Sequence, residues 1–296
     1  MDGFDIRYAR GEDAAPVRDL WALCFPGEAA FAAYFFARLY RPERALLAVG
    51  PDGPAAMLHI MPFEMTWLAQ TVPVGYVYGV GTHPAFRRRG LAAALLDQAL
   101  FEMHLRGCVF AALIPQEAWL FDFYRPFGFA AVFRRPTVGY APPDGVRTAR
   151  AADIGALNRR YEAHLARRPH LLRAPGHWER ILEECALAGG RVLMDDADGY
   201  AVYADGSDTP VECFGAGAAE TGPARPFGCL RVVQAGRALA MAAQAGRRAP
   251  DAALQDACAP WNNGTLTAAD GGRMDPSDLA AWLFDGAAPY MQLMHN

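Results

Sequence analysis

One continuous segment, residues 74–105, constrains the fold of this chain most. It reads VGYVYGV, an apolar strand-like run, then the loop GTHPAFRRRG, then LAAALLDQALFEMHL, which predicts a helix over about 89–105. Such a loop directs backbone N–H groups and the positive end of the helix dipole toward one point. Arginines favour the opposite end of a helix, so Arg87, Arg88 and Arg89 here predict a bound phosphate or pyrophosphate. The alternative is a solvated arginine turn without a ligand.

The spacing of this loop differs from two common phosphate-binding motifs. Arg87, Gly90 and Ala92 are spaced as Arg-x-x-Gly-x-Ala, which is neither Gly-x-x-x-x-Gly-Lys nor Gly-x-Gly-x-x-Gly. Small residues at Gly90, Ala92 and Ala93 would let the backbone approach an anion closely.

Composition limits the class of protein. The chain has 296 residues, 53% of them hydrophobic, which suffices for a sizeable core and more than one domain. A net charge of −4 argues against a dedicated nucleic-acid binder. The sequence shows no signal-peptide pattern and no membrane-spanning run, so we expect a cytoplasmic protein without a membrane partner. The six cysteines lack zinc spacing, so we expect buried thiols and no metal.

Apolar periodicity predicts strands followed by alternating helices and strands, which indicates an α+β domain with a central mixed sheet. This domain ends near residue 140, before a linker at 141–145. The predicted elements are a strand at 4–8, helices within 11–25 and 28–40, a hairpin of 44–50 with 54–62, a strand pair of about 64–70 with 74–80, the helix of about 89–105, a strand at 108–114 and a short helix at 116–125.

Two separated motifs resemble the GCN5-related N-acetyltransferase (GNAT) superfamily. One is the strand–loop–helix segment around residues 80–92, and the other is FYRPFGF at 123–129, which resembles the closing signature Phe-Tyr-x-x-Phe-Gly-Phe. The resemblance implies a GNAT fold over residues 1–140 and acetyl-CoA as the cosubstrate.

Two later segments resemble the enhanced intracellular survival (Eis) family within that superfamily. They are CAPWNNG at 258–264 and the region 173–182 around Trp178. The resemblance implies a truncated second GNAT-like unit at 146–215 and a small, truncated sterol-carrier-like α/β domain at 228–296. The Arg/Gly loop does not recur, so we expect one active site per chain. The family also favours a homo-oligomer.

The resemblance assigns a set of coenzyme-binding residues. Backbone groups of Val80, Gly81 and Thr82 would hold the pantetheine arm and the acetyl carbonyl, and Gln116 would contact the coenzyme. The loop and the first helical turn would wrap the pyrophosphate with Arg87, Arg88, Arg89, Gly90, Leu91, Ala92 and Ala93.

The resemblance also assigns the catalytic groups. Tyr124 lies where the family protonates the departing thiolate, which is the role we expect; the alternative is a core aromatic residue. The α-carboxylate of Asn296 matches the terminal carboxylate that the family brings to the active site, and the apolar tail at 289–296 suggests that this terminus docks. Glu64, His83 and water are alternative bases.

The acceptor side is less constrained by the sequence. Trp21, Phe31, Phe35, Phe63 and Trp67 lie on the elements that would build it, as acceptor-pocket or core residues. No cysteine lies at a nucleophile position, so we expect direct transfer to an amine in a ternary complex. The acceptor would be a small or polyamine-like amine, an aminoglycoside or a lysine. The alternative is a non-catalytic acyl-CoA or lipid-binding sensor.

Overall fold

The computed structural model describes residues 3–247, 266–267 and 273–291. The helices are α1 (Ala14–Cys24), α2 (Ala29–Arg38), α3 (Leu91–Leu105), α4 (Trp119–Tyr124), α5 (Ile154–Leu165), α6 (Pro175–Leu187), α7 (Ala235–Gln244) and α8 (Pro276–Phe284). The strands are β1 (Asp5–Tyr8), β2 (Ala45–Gly50), β3 (Gly53–Trp67), β4 (Gln70–Thr82), β5 (Phe110–Leu113), β6 (Ala130–Arg135), β7 (Val138–Tyr140), β8 (Arg147–Thr148), β9 (His170–Leu171), β10 (Gly189–Met194), β11 (Tyr200–Asp205), β12 (Glu212–Phe214), β13 (Ala218–Glu220), β14 (Arg225–Val232), β15 (Leu266–Thr267) and β16 (Arg273–Met274).

The main sheet has the strand order β1-β2-β3-β4-β5-β14-β6, and β9 adds to β3. Strands β4 and β5 are parallel, whereas the other neighbouring pairs are antiparallel. The prediction of an α+β fold with a mixed central sheet is therefore confirmed. Helix α3 packs on one face of this sheet, and its buried residues Leu95, Leu96 and Leu100 join Ile60 and Leu113 in one apolar cluster.

The hairpin between β3 and β4 turns earlier than the sequence predicts. The predicted strand at 64–70 is wrong at its end, because the chain reverses at Leu68 and Ala69, with Trp67 paired to Gln70. Leu68 and Ala69 have φ of 50° and 59°. A two-residue hairpin loop with two positive φ angles is normally signalled by Asn-Gly or a similar pair, and neither residue type is present here.

Strand β14 lies inside the main sheet, between β5 and the edge strand β6, although it comes late in the chain. It pairs with β5 through Cys229 opposite Leu113 and with β6 through Arg225 opposite Arg135. The predicted boundary near residue 140 therefore divides this sheet, and the described part of 228–296 does not stand apart from it. Helices α7 and α8 bury Met241 and Leu283 in the cluster that also holds Phe110. The 258–264 motif lies outside the described residues.

A second, four-stranded antiparallel sheet has the order β12-β11-β10-β8. It packs against α5 and α6 around an apolar cluster that contains Leu157, Tyr161, Trp178, Val192 and Tyr200. This central unit covers the range predicted for a second unit at 146–215, and its interpretation as a truncated GNAT-like unit stays a prediction.

The chain's last described residues dock on the central unit. The backbone N–H of Tyr290 donates to the carbonyl of Pro169 at 2.7 Å, and Arg168 donates to the carbonyl of Ala288 at 2.8 Å. The Tyr290 hydroxyl donates to the buried carboxylate of Glu212 at 2.6 Å. The part of the apolar tail that the structure describes is thus held by specific hydrogen bonds.

Candidate active site

The candidate site lies where β4 and β5 separate. Their parallel pairing, as described, runs from Val74 to Tyr76 on β4, while β4 continues to Thr82. Tyr78 lies opposite His59 of β3, but Gly81 lies opposite Met57, so β4 contains one extra residue at this point. Such a bulge bends a strand, and here it accompanies the separation of β4 from β5.

Two glycines make this bulge compatible with the helix behind it. Gly79 has φ of +58°, and a Cβ there would lie 2.6 Å from the ring of Trp21. A Cβ on Gly81 would lie 2.9 Å from the sulfur of Cys24. Helix α1 can therefore approach β4 this closely only because both positions lack a side chain.

A cavity of about 500 Å³ opens between the separated strands. That volume is typical of a small-molecule site. Six of the predicted coenzyme-binding and catalytic residues line it: Val80, Gly81, Thr82, Arg87, Gln116 and Tyr124. The structure thus brings together residues from β4, from the arginine loop and from the segment after β5, as the sequence interpretation requires.

The predicted anion-binding loop leads directly into α3. Gly90 has φ of +78° and precedes the helix as its N-cap, and Ala94 donates the first intrahelical hydrogen bond, to the carbonyl of Gly90 at 3.0 Å. The N–H groups of Leu91, Ala92 and Ala93 come before that bond and point out of the helix end. They form the backbone part of an anion site, whereas the Leu91 side chain is buried in the core.

The three arginines of the loop have different surroundings. Arg87 lines the cavity and donates to the carbonyl of Thr82 at 3.4 Å. Arg88 is exposed and has φ of +62°. Arg89 lies over the rings of Phe4 and Phe86, with its guanidinium carbon 5.0 and 5.6 Å from their centroids. Only Arg87 therefore reaches the cavity directly in this conformation.

Tyr124 ends α4 and faces the cavity from a largely buried position. Its ring packs against Phe129 at a centroid distance of 6.0 Å, and the residue is 7% exposed. Burial raises the pKa of its phenol, with a further increase from nearby Cys229. Tyr124 is thus a core residue and a protonated donor at the cavity wall at once.

The alternative bases lie elsewhere. Glu64 is exposed on β3 opposite Pro73 and is not among the residues that line the cavity. The Nδ1 of His83 accepts the backbone N–H of Ala85 at 3.2 Å, which caps the turn before the arginine loop. Asn296 lies outside the described residues.

A smaller cavity of about 80 Å³ adjoins the first and shares Phe31, Tyr76 and Tyr78 with it. Phe35 and Phe63 line this second cavity, so three of the predicted acceptor-side aromatics lie there. Trp21 lines the first cavity. Trp67 is buried against Phe110 and Phe284, at ring distances of 5.1 and 5.9 Å, and is a core residue.

The sequence reasoning did not find two carboxylates at these cavities. Glu28 lines the first, and burial raises its pKa. Glu184 on α6 lines the second, and burial raises its pKa to about 8. A signal for Glu184 was present: Trp178, Ile181 and Cys185 mark the buried face of α6, and an acidic residue three positions after Ile181 falls on that face.

His59 is buried directly behind the bulge. Its Nδ1 lies 3.2 Å from the place where a Cβ on Gly79 would be, and its ring packs 5.1 Å from that of Phe35. Burial lowers its pKa to about 4, so the imidazole is neutral at pH 7.

Among the described residues, no group of three or more His, Cys, Asp and Glu could hold a metal ion. No described helix is long and apolar enough to cross a membrane.

Comparison with known proteins agrees with this geometry. Residues 5–132 match the sequence model of the acetyltransferase (GNAT) domain. Eis1 from Mycobacterium abscessus is 19% identical, with 95% of this chain and 88% of that chain covered and a TM-score of 0.63. A GCN5-related N-acetyltransferase from Kribbella flavida is 21% identical, with 93% and 85% covered and a TM-score of 0.61. Another from Anabaena variabilis is 16% identical, with 80% and 74% covered and a TM-score of 0.60.

A search of curated protein sequences found no match. At such low identities, similarity to solved structures shows the fold alone. The domain match and the cavity between β4 and β5 nevertheless converge on the same part of the chain. The protein therefore has the fold of the GNAT acetyltransferases, with a GNAT domain over residues 5–132.

Proposed function

We propose that this protein is an acetyl-CoA-dependent N-acetyltransferase that acts on an amine. One observation carries the proposal: the cavity between β4 and β5 gathers the β4 backbone, Arg87 and Tyr124, and the N-terminus of α3 follows the same loop. The match to the GNAT domain implies acyl transfer and acetyl-CoA.

In this proposal each part of the cleft binds one part of the coenzyme. Backbone groups of Val80, Gly81 and Thr82 pair with the pantetheine arm, because β4 has left its neighbour there. The N–H groups that begin α3 bind the pyrophosphate, and Arg87 contributes a charge. Arg88 is free of side-chain packing and can turn toward the phosphates, whereas Arg89 would first leave Phe4 and Phe86. Gln116 contacts the coenzyme from the opposite wall.

The chemical step is direct attack of the amine on the thioester. The amine nitrogen forms a bond to the acetyl carbon, the carbon–sulfur bond breaks, and the nitrogen loses a proton. Tyr124 donates its phenolic proton to the departing sulfur and recovers one from solvent. Its raised pKa means that the phenol is protonated at neutral pH before the transfer. Cys24 lines the cavity, but burial raises the pKa of its thiol, which disfavours the thiolate that a covalent mechanism needs.

For the base, we retain the α-carboxylate of Asn296. The docked tail supports it, because Met291 packs at Gly228, and a Cβ on Gly228 would lie 3.2 Å from the carbonyl oxygen of Leu113 and 3.4 Å from Ile114. Both of those residues line the cleft. An extended segment from 292 to 296 spans about 17 Å at most, so the proposal requires the thioester to lie within that distance of Met291.

The test is an assay of acetyl transfer to a panel of amines. The release of the free thiol of coenzyme A from acetyl-CoA measures the rate. We expect Tyr124→Phe to lower kcat by about 100-fold or more, since a positioned general acid contributes roughly that much, while the Kd for acetyl-CoA changes little. Phenylalanine keeps the ring packing, and Phe123→Leu on the same helix is the control. An unchanged kcat would remove Tyr124 from the mechanism.

Coenzyme binding without acetylation of any amine would overturn the enzyme proposal and favour the non-catalytic acyl-CoA-binding alternative. The basic residues of this chain are all arginines, 28 in number, so acetyl label on lysine can come only from an added acceptor. The sterol-carrier-like domain, the homo-oligomer and the cytoplasmic location stay predictions from the family resemblance.

A further inference from the structure

The second cavity is lined by a buried carboxyl group, that of Glu184 on α6. Glu184 is 6% exposed and, among the residues that the structure describes, its carboxylate makes no hydrogen bond and no ion pair. Arg180, one turn earlier on α6, lowers the pKa of Glu184 by less than burial raises it. A buried carboxylate normally has a bonded partner, because leaving it unpaired is costly. Burial thus favours the protonated acid in this cavity, and a cation that binds beside Glu184 would favour its carboxylate form.

The neighbouring residue explains why α6 turns Glu184 inward. Glu183 accepts hydrogen bonds from Tyr34 and Arg38 of α2, both at 2.8 Å. These contacts fix the rotation of α6 against the GNAT domain. Since successive helical residues are rotated by about 100°, Glu184 then lies on the side that faces the cavity.

The walls around Glu184 suit an organic cation. Phe63 stacks on His177 at a centroid distance of 4.6 Å, and Phe35 and Tyr78 contribute further aromatic surface. An ammonium group gains both from a carboxylate and from aromatic faces. The other cavity-lining arginine, Arg173, is already neutralised by two hydrogen bonds of 2.7 Å to Glu212, which leaves Arg180 as the competing charge.

The second cavity adjoins the cleft, and three aromatic residues line both: Phe31, Tyr76 and Tyr78. We propose that Glu184 selects the acceptor: it binds a second ammonium group of a di- or polyamine whose first amine is acetylated in the cleft. This inference rests on the proposed function, and it adds a residue from the central unit to the acceptor site.

The experiment compares two acceptors of equal length, butylamine and 1,4-diaminobutane, at a pH where both amines are charged. We expect the wild-type protein to use the diamine with the lower KM. Glu184→Gln should raise the KM for the diamine about tenfold or more and leave kcat and the monoamine KM little changed. Glu179→Gln, an exposed position on the same helix, is the matched control and should behave as wild type.

Equal KM values for the two acceptors in the wild-type protein, or equal effects of Glu184→Gln on both, would overturn the role of Glu184. Should the glutamine variant fail to fold, Glu184→Asp keeps the carboxylate and should give a smaller rise in the diamine KM alone. Failure of the wild-type protein to acetylate any amine would instead overturn the proposed function, so the two failures are distinguishable.

Discussion

At the scale of single residues, the site depends on glycines that let elements pack closely and on a buried histidine that is uncharged at pH 7. Gly79 lets β4 bulge against Trp21, and His59 lies uncharged behind that bulge. The sequence showed Gly79 and Gly81 in a strand, which suggests a bulge or a close approach. It could not show that Trp21 would be the group approached, because that contact depends on how α1 crosses the sheet.

Gly79→Ala should lower the free energy of unfolding by about 3 kcal/mol. Roughly 1 to 2 kcal/mol comes from the positive φ, and the remainder from overlap with the rigid Trp21 ring. Gly107→Ala is the control, because Gly107 has φ of +75° but a Cβ there would meet nothing within 4 Å. Urea denaturation measures both, and equal losses would show that the contact with Trp21 is unimportant.

His59 should make the protein less stable in acid. Its pKa is about 4 in the folded state against 6.5 for an ordinary histidine. Between pH 6.5 and about 4, His59 is therefore protonated in the unfolded chain but mostly neutral in the folded protein. The stability difference between wild type and His59→Gln should therefore shift by about 3 kcal/mol between pH 7 and pH 4, against the wild type.

Denaturant titrations of both proteins across this pH range measure the difference. Glu184 acts in the opposite direction, because its raised pKa favours the folded state as pH falls below about 8. Both proteins contain Glu184, so the difference in stability between wild type and His59→Gln does not include its contribution. A difference that does not change with pH would mean that His59 is not the cause.

At the scale of elements, α3 and its loop follow from local sequence, whereas the position of β14 does not. The Ala/Leu-rich run and Gly90 predict the helix and its start within two residues of the observed Leu91. The sequence is strand-like only from Leu230, and 215–228 reads as a loop or linker, so the first half of β14 (Arg225–Val232) is not predicted. Strand propensity also carries no information about partners. Its place between β5 and β6 follows from the need to cover both edges.

A chain shortened to residues 1–140 should therefore fail to fold as a monomer. Removing β14 would leave β5 and β6 without their shared partner and would expose Phe110 and Trp67, which α8 covers through Phe284. We expect aggregation or a loss of cooperative unfolding, measured by size-exclusion chromatography and thermal circular dichroism. A soluble monomer with a sharp transition would show that 1–140 is an independent domain after all.

At the scale of the whole molecule, one buried carboxylate links three parts of the chain. Glu212 of the central unit receives hydrogen bonds from Arg173, from Tyr200 at 2.8 Å and from Tyr290 of the docked tail. Arg173 also lies over the rings of Tyr161 and Trp178, with its guanidinium carbon 4.1 and 4.7 Å from their centroids. The central unit and the C-terminal segment are thereby held in one arrangement.

Glu212→Gln should lower the free energy of unfolding by about 3 to 5 kcal/mol, because it leaves the buried Arg173 charge uncompensated. Glu183→Gln, which breaks an exposed ion pair with Arg38, should cost less than about 1 kcal/mol. Chemical denaturation of the two variants measures the contrast. Similar losses would mean that burial does not set the strength of the Glu212 network.

The sequence by itself determined the features that arise from neighbouring residues. These are the mixed α+β pattern, the strand–loop–helix at 74–105, and the predicted site residues Arg87, Gln116 and Tyr124, which line one cavity. Periodicity and loop spacing express local backbone preferences, so they can be read without knowing the partners of each element.

Only the tertiary structure decided which distant segments meet. It placed β14 inside the first sheet, docked Tyr290 on Glu212, and brought Glu184 of α6 to the second cavity. The physical reason is that burial and strand pairing are satisfied over the whole molecule, and several partners fit one local pattern equally well. The arginine loop and the start of α3 were therefore predictable from the sequence, whereas the position of Glu184 at the second cavity was not.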